Sequence, residues 1–171
     1  MLTLGIDPGL ARIGYGVVSS DDDAVALLEY GCLSTDAGTP YVERLKIIYD
    51  GVRRLVRRCA PDAVALESLF FFRNARTVMK VSEARGVIML AVGTFHVPTF
   101  EYTPQQVKLA VSSYGFETKK NVEVAVRQIL GVSEHITPDD TADAIAVALC
   151  HSFTGSYREA VTEAEDNDCA H

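Results

Sequence analysis

The chain has 171 residues, of which 48% are hydrophobic and 23% charged, with a formal net charge of −7. This length and apolar content predict one globular domain, and the net charge taken alone argues against a nucleic-acid partner. No apolar run approaches the roughly 20 residues of a membrane span, no signal segment opens the chain, and the four cysteines form no CxxC pair, so we predict a cytoplasmic protein with no membrane partner.

Alternating apolar residues from Leu2 predict a first strand, which Pro8-Gly9 ends. Asp7 therefore lies at the carboxyl end of this strand, the edge at which open α/β sheets bind ligands. The residue is a candidate metal ligand or base, but an Asp at this point equally suits a turn. Two further strands, Ile13–Ser19 and Ala24–Leu33, complete an antiparallel meander.

A helix is predicted from Thr39-Pro40, with Thr39 as its cap, to Cys59. The continuously apolar strand Ala63–Glu67 follows, and a strand reached through a crossover helix lies parallel to a neighbour. If that neighbour is the first strand, Glu67 lies beside Asp7. Two carboxylates meeting at one edge favour a functional site over a turn.

The remaining chain alternates between helices and one short strand. Phe70–Phe72 come first, and three consecutive aromatics cannot all face one core. The later predicted elements are a helix over about 75–92, a strand Thr99–Tyr102, a helix from Pro104, a helix Lys119–Leu130, and a helix from Thr137-Pro138 to about His151. Together these elements predict an α/β fold with a five-stranded mixed sheet flanked by helices.

Three acids open the last helix. Asp140 and Asp143 share a face at spacing i, i+3, and Asp139 and Asp143 do so at i, i+4. The helix dipole alone explains acids at the first positions, but Asp143 precedes an apolar run, where an acid is costly unless it is paired or metal-bound. Asp7, Glu67, Asp140 and Asp143 are therefore expected to converge.

Such a set of carboxylates predicts metal-dependent nuclease chemistry. Like charges at close range need a cation, and oxygen-only ligands suit Mg²⁺, for which Mn²⁺ substitutes. Two such ions about 3.5–4 Å apart activate water and stabilise the leaving oxygen of a phosphodiester.

Several segments, in matching order, resemble the RuvC family of Holliday junction resolvases, which have an RNase H-like fold. They are Gly5–Gly9, Gly14–Gly16, Leu66–Phe70, Glu83–Gly86 and Asp140–Ala146. The likeness covers about residues 2–153. It implies that Asp7, Glu67, Asp140 and Asp143 are the metal-binding catalytic acids, and its Asp-x-x-Asp spacing favours Asp140 over Asp139.

The resemblance also implies a DNA-binding set. Phe70 corresponds to an aromatic that stacks on a base, and Lys108 and Lys119 to basic positions near the cleft, with Lys120 as a neighbour. Arg76 and Lys80, on the helix over 75–92, join this expected set. The implied reaction is symmetric cleavage of two like strands at a four-way junction by a homodimer, which works with a branch-migration motor.

The acidic segment 156–171 departs from the basic tails of some relatives. Five of the 23 acids lie in residues 159–171, without a Lys or Arg, which predicts a disordered tail after a nuclease domain over 1–155. The alternatives are an RNase H-like nuclease acting on RNA or other branched DNA, a non-catalytic DNA-binding module, and a lobe of an actin-like ATPase or sugar kinase. The last needs a second lobe, for which 171 residues leave no room.

Overall fold

A five-stranded mixed sheet forms the centre of the computed structural model, which describes residues 1–21, 24–68, 75–112 and 119–168. Its strands are β1 (Leu2–Asp7), β2 (Arg12–Ser20), β3 (Val25–Ser34), β4 (Ala63–Glu67) and β5 (Thr99–Tyr102). Their spatial order is β3-β2-β1-β4-β5. The predicted five-stranded mixed sheet is confirmed.

Strand directions follow the predicted pattern. β1, β2 and β3 form an antiparallel meander, and the Oδ1 atom of Asp21 accepts a hydrogen bond from the Ala24 amide, 2.8 Å away, in the β2–β3 turn. β4 lies parallel to β1, and β5 lies parallel to β4. The buried β4 strand is therefore the direct neighbour of β1, as the crossover helix requires.

Helices cover both faces of the sheet. They are α1 (Tyr41–Cys59), α2 (Ala75–Gly93), α3 (Pro104–Ser112), α4 (Lys119–Leu130) and α5 (Asp139–Asp168). One apolar core joins α1 and α2 to β1 side chains such as Leu4 and Ile6. A second core joins α3, α4 and α5 to the opposite face, which includes Ala65 of β4. Side chains on a strand alternate between these two cores.

Two helix ends differ from the sequence prediction. α1 begins at Tyr41 after Pro40, and no side chain caps it, so the predicted Thr39 cap is wrong. α5 continues to Asp168, past the predicted end at His151 and into the segment predicted to be a disordered tail. The prediction ended the helix with its apolar run, but the following residues include strong helix formers and no proline, so the backbone remains helical.

No helix within the described ranges combines the length and the hydrophobicity needed to cross a membrane.

Candidate active site

Asp7 and Glu67 end two adjacent parallel strands. The register pairs Ile6 of β1 with Leu66 of β4, so Asp7 and Glu67 are the next residues at the same edge. Both are half-buried. Because side chains alternate along a strand, these two acids share the sheet face of Gly5, against which α5 packs. The structure therefore brings together the first two predicted acids.

Glycines allow α5 to lie directly on this face. A Cβ atom on Gly5 would stand 2.1 Å from the carbonyl oxygen of Ala144, and one on Gly14 would stand 1.8 Å from that of Asp140. Gly14 is also the β2 residue paired with Asp7. The first turn of α5 thus rests beside the end of β1, which places Asp140 next to the strand end that carries Asp7.

The thiol of Cys32 on β3 lies close to two of the acids. Cys32 pairs with Gly14 in the sheet. Burial raises the pKa of Cys32, and the negative charges of Asp140 and Asp7 raise it further. The Arg12 guanidinium and a hydrogen bond with the Ile13 backbone lower the pKa of Cys32, but the net shift is upward.

Asp140 carries a cationic neighbour that the sequence analysis missed. The Nε atom of Arg12 lies 2.9 Å from the Oδ2 atom of Asp140, which pairs the two charges. This contact lacks the angle of a hydrogen bond, and Oδ2 is buried without a hydrogen-bond partner within the described ranges. The Arg12 guanidinium therefore offsets part of the negative charge of this oxygen.

Asp143 is half-buried on α5, one turn beyond Asp140, whereas Asp139 is exposed. Asp143 and Asp139 both line a cavity of about 240 Å³, together with Glu123 of α4. Among the residues that the structure describes, no three His, Cys, Asp or Glu side chains already form a metal-binding group. Ionised carboxylates repel at short range, so a close cluster requires a cation.

The predicted DNA-binding residues fall into three groups. Lys80 on α2 and Lys108 on α3 are exposed, and Lys80 lines a cavity that reaches Asp140. Phe70 lies outside the described residues. Arg76, Lys119 and Lys120 lie in the first turns of α2 and α4, but their side chains are outside the described part. Their predicted contacts with DNA stay predictions.

Comparison with known proteins identifies the family. Residues 3–151 match the family described as "Crossover junction endodeoxyribonuclease RuvC". Relatives of that name from Chloroflexus aggregans and Moorella thermoacetica are each 45% identical, over 90% and 93% of this chain and 94% and 95% of theirs. The structure "T. thermophilus RuvC in complex with Holliday junction substrate" superposes with a TM-score of 0.84 at 35% identity, covering 92% of this chain and 96% of that one. The resemblance noted from the motifs, and its RNase H-like fold, are thereby confirmed, and the chain belongs to the RuvC family.

Proposed function

We propose that this protein resolves Holliday junctions by metal-dependent hydrolysis of two symmetric phosphodiester bonds in DNA recombination and repair. The observation that carries this proposal is the placement of Asp7 and Glu67 at the ends of adjacent parallel strands, with the first turn of α5 beside Asp7. The printed name of the relatives, crossover junction endodeoxyribonuclease, supports the substrate and the reaction.

The candidate ligands fit a hard divalent cation. Asp7, Glu67, Asp140 and Asp143 offer only oxygen atoms, the donors that Mg²⁺ and Mn²⁺ prefer. We propose that these four side chains hold two Mg²⁺ ions. Bound there, such ions would activate water and offset the charge of the phosphodiester. Asp7 and Glu67 place these ligands at one edge of the sheet.

Cutting two strands symmetrically requires two sites related by a two-fold axis, so we propose a homodimer. α2 is the proposed interface. Met79 and Leu90 on this helix are 65% and 62% exposed, and at eleven residues apart they lie on the same stripe of the helix. Cooperation with a branch-migration motor in the cytoplasm is part of the same proposal.

The nicking assay that tests the proposed function uses three substrates of equal length: a four-way DNA junction, a linear duplex, and an RNA–DNA hybrid. We expect paired, symmetric nicks in the junction with Mg²⁺, little cleavage of the other two substrates, and none after addition of EDTA. Preferred cleavage of the hybrid would indicate a nuclease that acts on RNA. Tight junction binding without nicking in either Mg²⁺ or Mn²⁺ would indicate a non-catalytic binding module.

The proposed DNA surface comprises Phe70, Arg76, Lys80, Lys108, Lys119 and Lys120. Of these, Lys108 offers a direct test because its side chain is exposed on α3. We expect Lys108→Ala to weaken junction binding and to reduce the slope of log K against log salt by about 1, the change for one lost phosphate contact.

Lys46→Ala is the matched control for this variant. Lys46 is also exposed, but it lies on α1 and forms an ion pair with Asp50 at 2.7 Å. Its removal should leave the salt slope unchanged. If Lys108→Ala and the wild type have the same slope of log K against log salt, Lys108 does not belong to the DNA-binding surface.

A further inference from the structure

A basic cavity adjoins the candidate active site. It has a volume of about 480 Å³ and lies between the β1–β2 turn, α1 and α2. Arg12, Arg44 and Lys80 line it, and so does Asp140. Three cationic side chains therefore share this cavity with one carboxylate, which is itself a proposed metal ligand. We name this space, defined by those four residues, the basic cavity.

Arg44 is held in place by the turn that forms one wall of the basic cavity. Its Nε atom donates a hydrogen bond to Thr35 Oγ1 at 2.9 Å, and its Nη2 atom donates one to the carbonyl oxygen of Leu10 at 3.3 Å. Thr35 Oγ1 in turn donates to the same Leu10 oxygen at 2.6 Å. These bonds use two of the five donors of a guanidinium, so a fixed group keeps further donors for a ligand.

Lys80 of α2 also lines the basic cavity. Its ammonium lies 5.6 Å from the centre of the Tyr41 ring, within the range of a cation–π contact. The Tyr41 hydroxyl donates a hydrogen bond to Glu83 of α2, which connects the start of α1 to α2. Arg44 follows Tyr41 by three residues on α1, so the two cations approach the cavity from adjacent helices.

The charges of the basic cavity favour an anion. Arg12 is paired with Asp140, which leaves Arg44 and Lys80 as the excess positive charge among the four residues. A guanidinium and an ammonium that line the same cavity are both groups that bind phosphate oxygens. Asp140 also lines the cavity, so a ligand bound there would lie next to a proposed metal ligand.

We propose that the basic cavity binds one phosphodiester group of the DNA strand that enters the active site, with Arg44 and Lys80 as its ligands. This inference rests on the proposed function, because it assumes that DNA is the substrate. It assigns Arg44 a role that its position on an amphipathic helix did not suggest, and it gives Lys80 a definite binding partner.

The test measures binding of a four-way DNA junction in EDTA, where no cleavage occurs, across a range of salt concentrations. We expect the double variant Arg44→Gln/Lys80→Gln to bind on the order of tenfold more weakly, as for the loss of hydrogen bonds to a charged group. Its salt slope should fall by about 1. Arg44→Lys keeps the charge while it loses the bonds to the turn, so it should retain most of the slope even if it melts at a lower temperature.

Arg54→Gln is the matched control. Arg54 is an exposed arginine on the same helix, about 15 Å further along its axis at 1.5 Å per residue. The salt slope of junction binding for Arg54→Gln should equal that of the wild type. A wild-type slope in the double variant, or an equal loss of slope in Arg54→Gln, would overturn the basic cavity as a phosphate site. Wild-type nicking of the same junction in Mg²⁺ is measured in parallel, and its failure would overturn the proposed function instead.

Discussion

Replacing Asp7 by Asn is expected to abolish nicking of a four-way junction in Mg²⁺ while junction binding stays close to that of the wild type. The substitution keeps the size of the side chain but removes the charge that would hold a cation at the end of β1. Loss of a residue that only supports a metal ligand costs about 10–100-fold, so loss of a ligand should reduce the nicking rate by at least about 100-fold. Single-turnover nicking and gel-shift binding of the same junction provide the measurement.

The control for this prediction lies on α5. Asp140→Asn should be as inactive as Asp7→Asn, whereas Asp139→Asn should retain nicking, because Asp139 is exposed and does not follow the Asp-x-x-Asp spacing. The three variants also separate catalysis from folding, since each keeps a polar side chain of the same size. Loss of binding and of thermal stability in Asp7→Asn would make Asp7 a structural residue.

Replacing Gly14 by Ala is expected to give the largest structural effect. The added methyl group would stand 1.8 Å from the carbonyl oxygen of Asp140, so the start of α5 must move away from β2. Overpacking of this kind lowers the free energy of unfolding by about 1–3 kcal/mol. The nicking rate should also fall, because Asp140 moves with the backbone of its helix.

Gly93→Ala serves as the control for added volume. Within the described residues, no atom beyond its own chain neighbours and helix backbone lies within 4 Å of the Cβ position at Gly93, which is exposed at the end of α2. Denaturant unfolding should give a lower midpoint for Gly14→Ala and a nearly unchanged midpoint for Gly93→Ala, with similar slopes. A Gly14→Ala protein as stable and as active as the wild type would show that α5 does not pack on β2 as closely as described.

The sheet was predictable because local patterns determine it. β4 is continuously apolar and follows a crossover helix, so its parallel pairing with β1 could be inferred before any coordinates, and with it the proximity of Asp7 and Glu67. The start of α3 is likewise determined by nearby residues. The Thr103 amide donates a hydrogen bond to the Gln106 side chain, and the Gln106 amide donates one to the Thr103 hydroxyl.

The basic cavity was not predictable from the sequence. Arg12 follows a turn and Arg44 lies on the polar side of α1, and only the packing of the turn against two helices brings both to Asp140. The extent of α5 was missed for another reason. Its apolar face ends near His151, and a pattern based on burial cannot detect a helix that continues through polar residues.

The distribution of the acids along the polypeptide links activity to the completion of synthesis. Asp7 lies in the first strand and Asp143 in the last helix of the described fold, with Glu67 between them. If the proposed function holds, a nascent or truncated chain that stops before residue 139 carries only two of the four proposed catalytic acids and cannot cleave DNA.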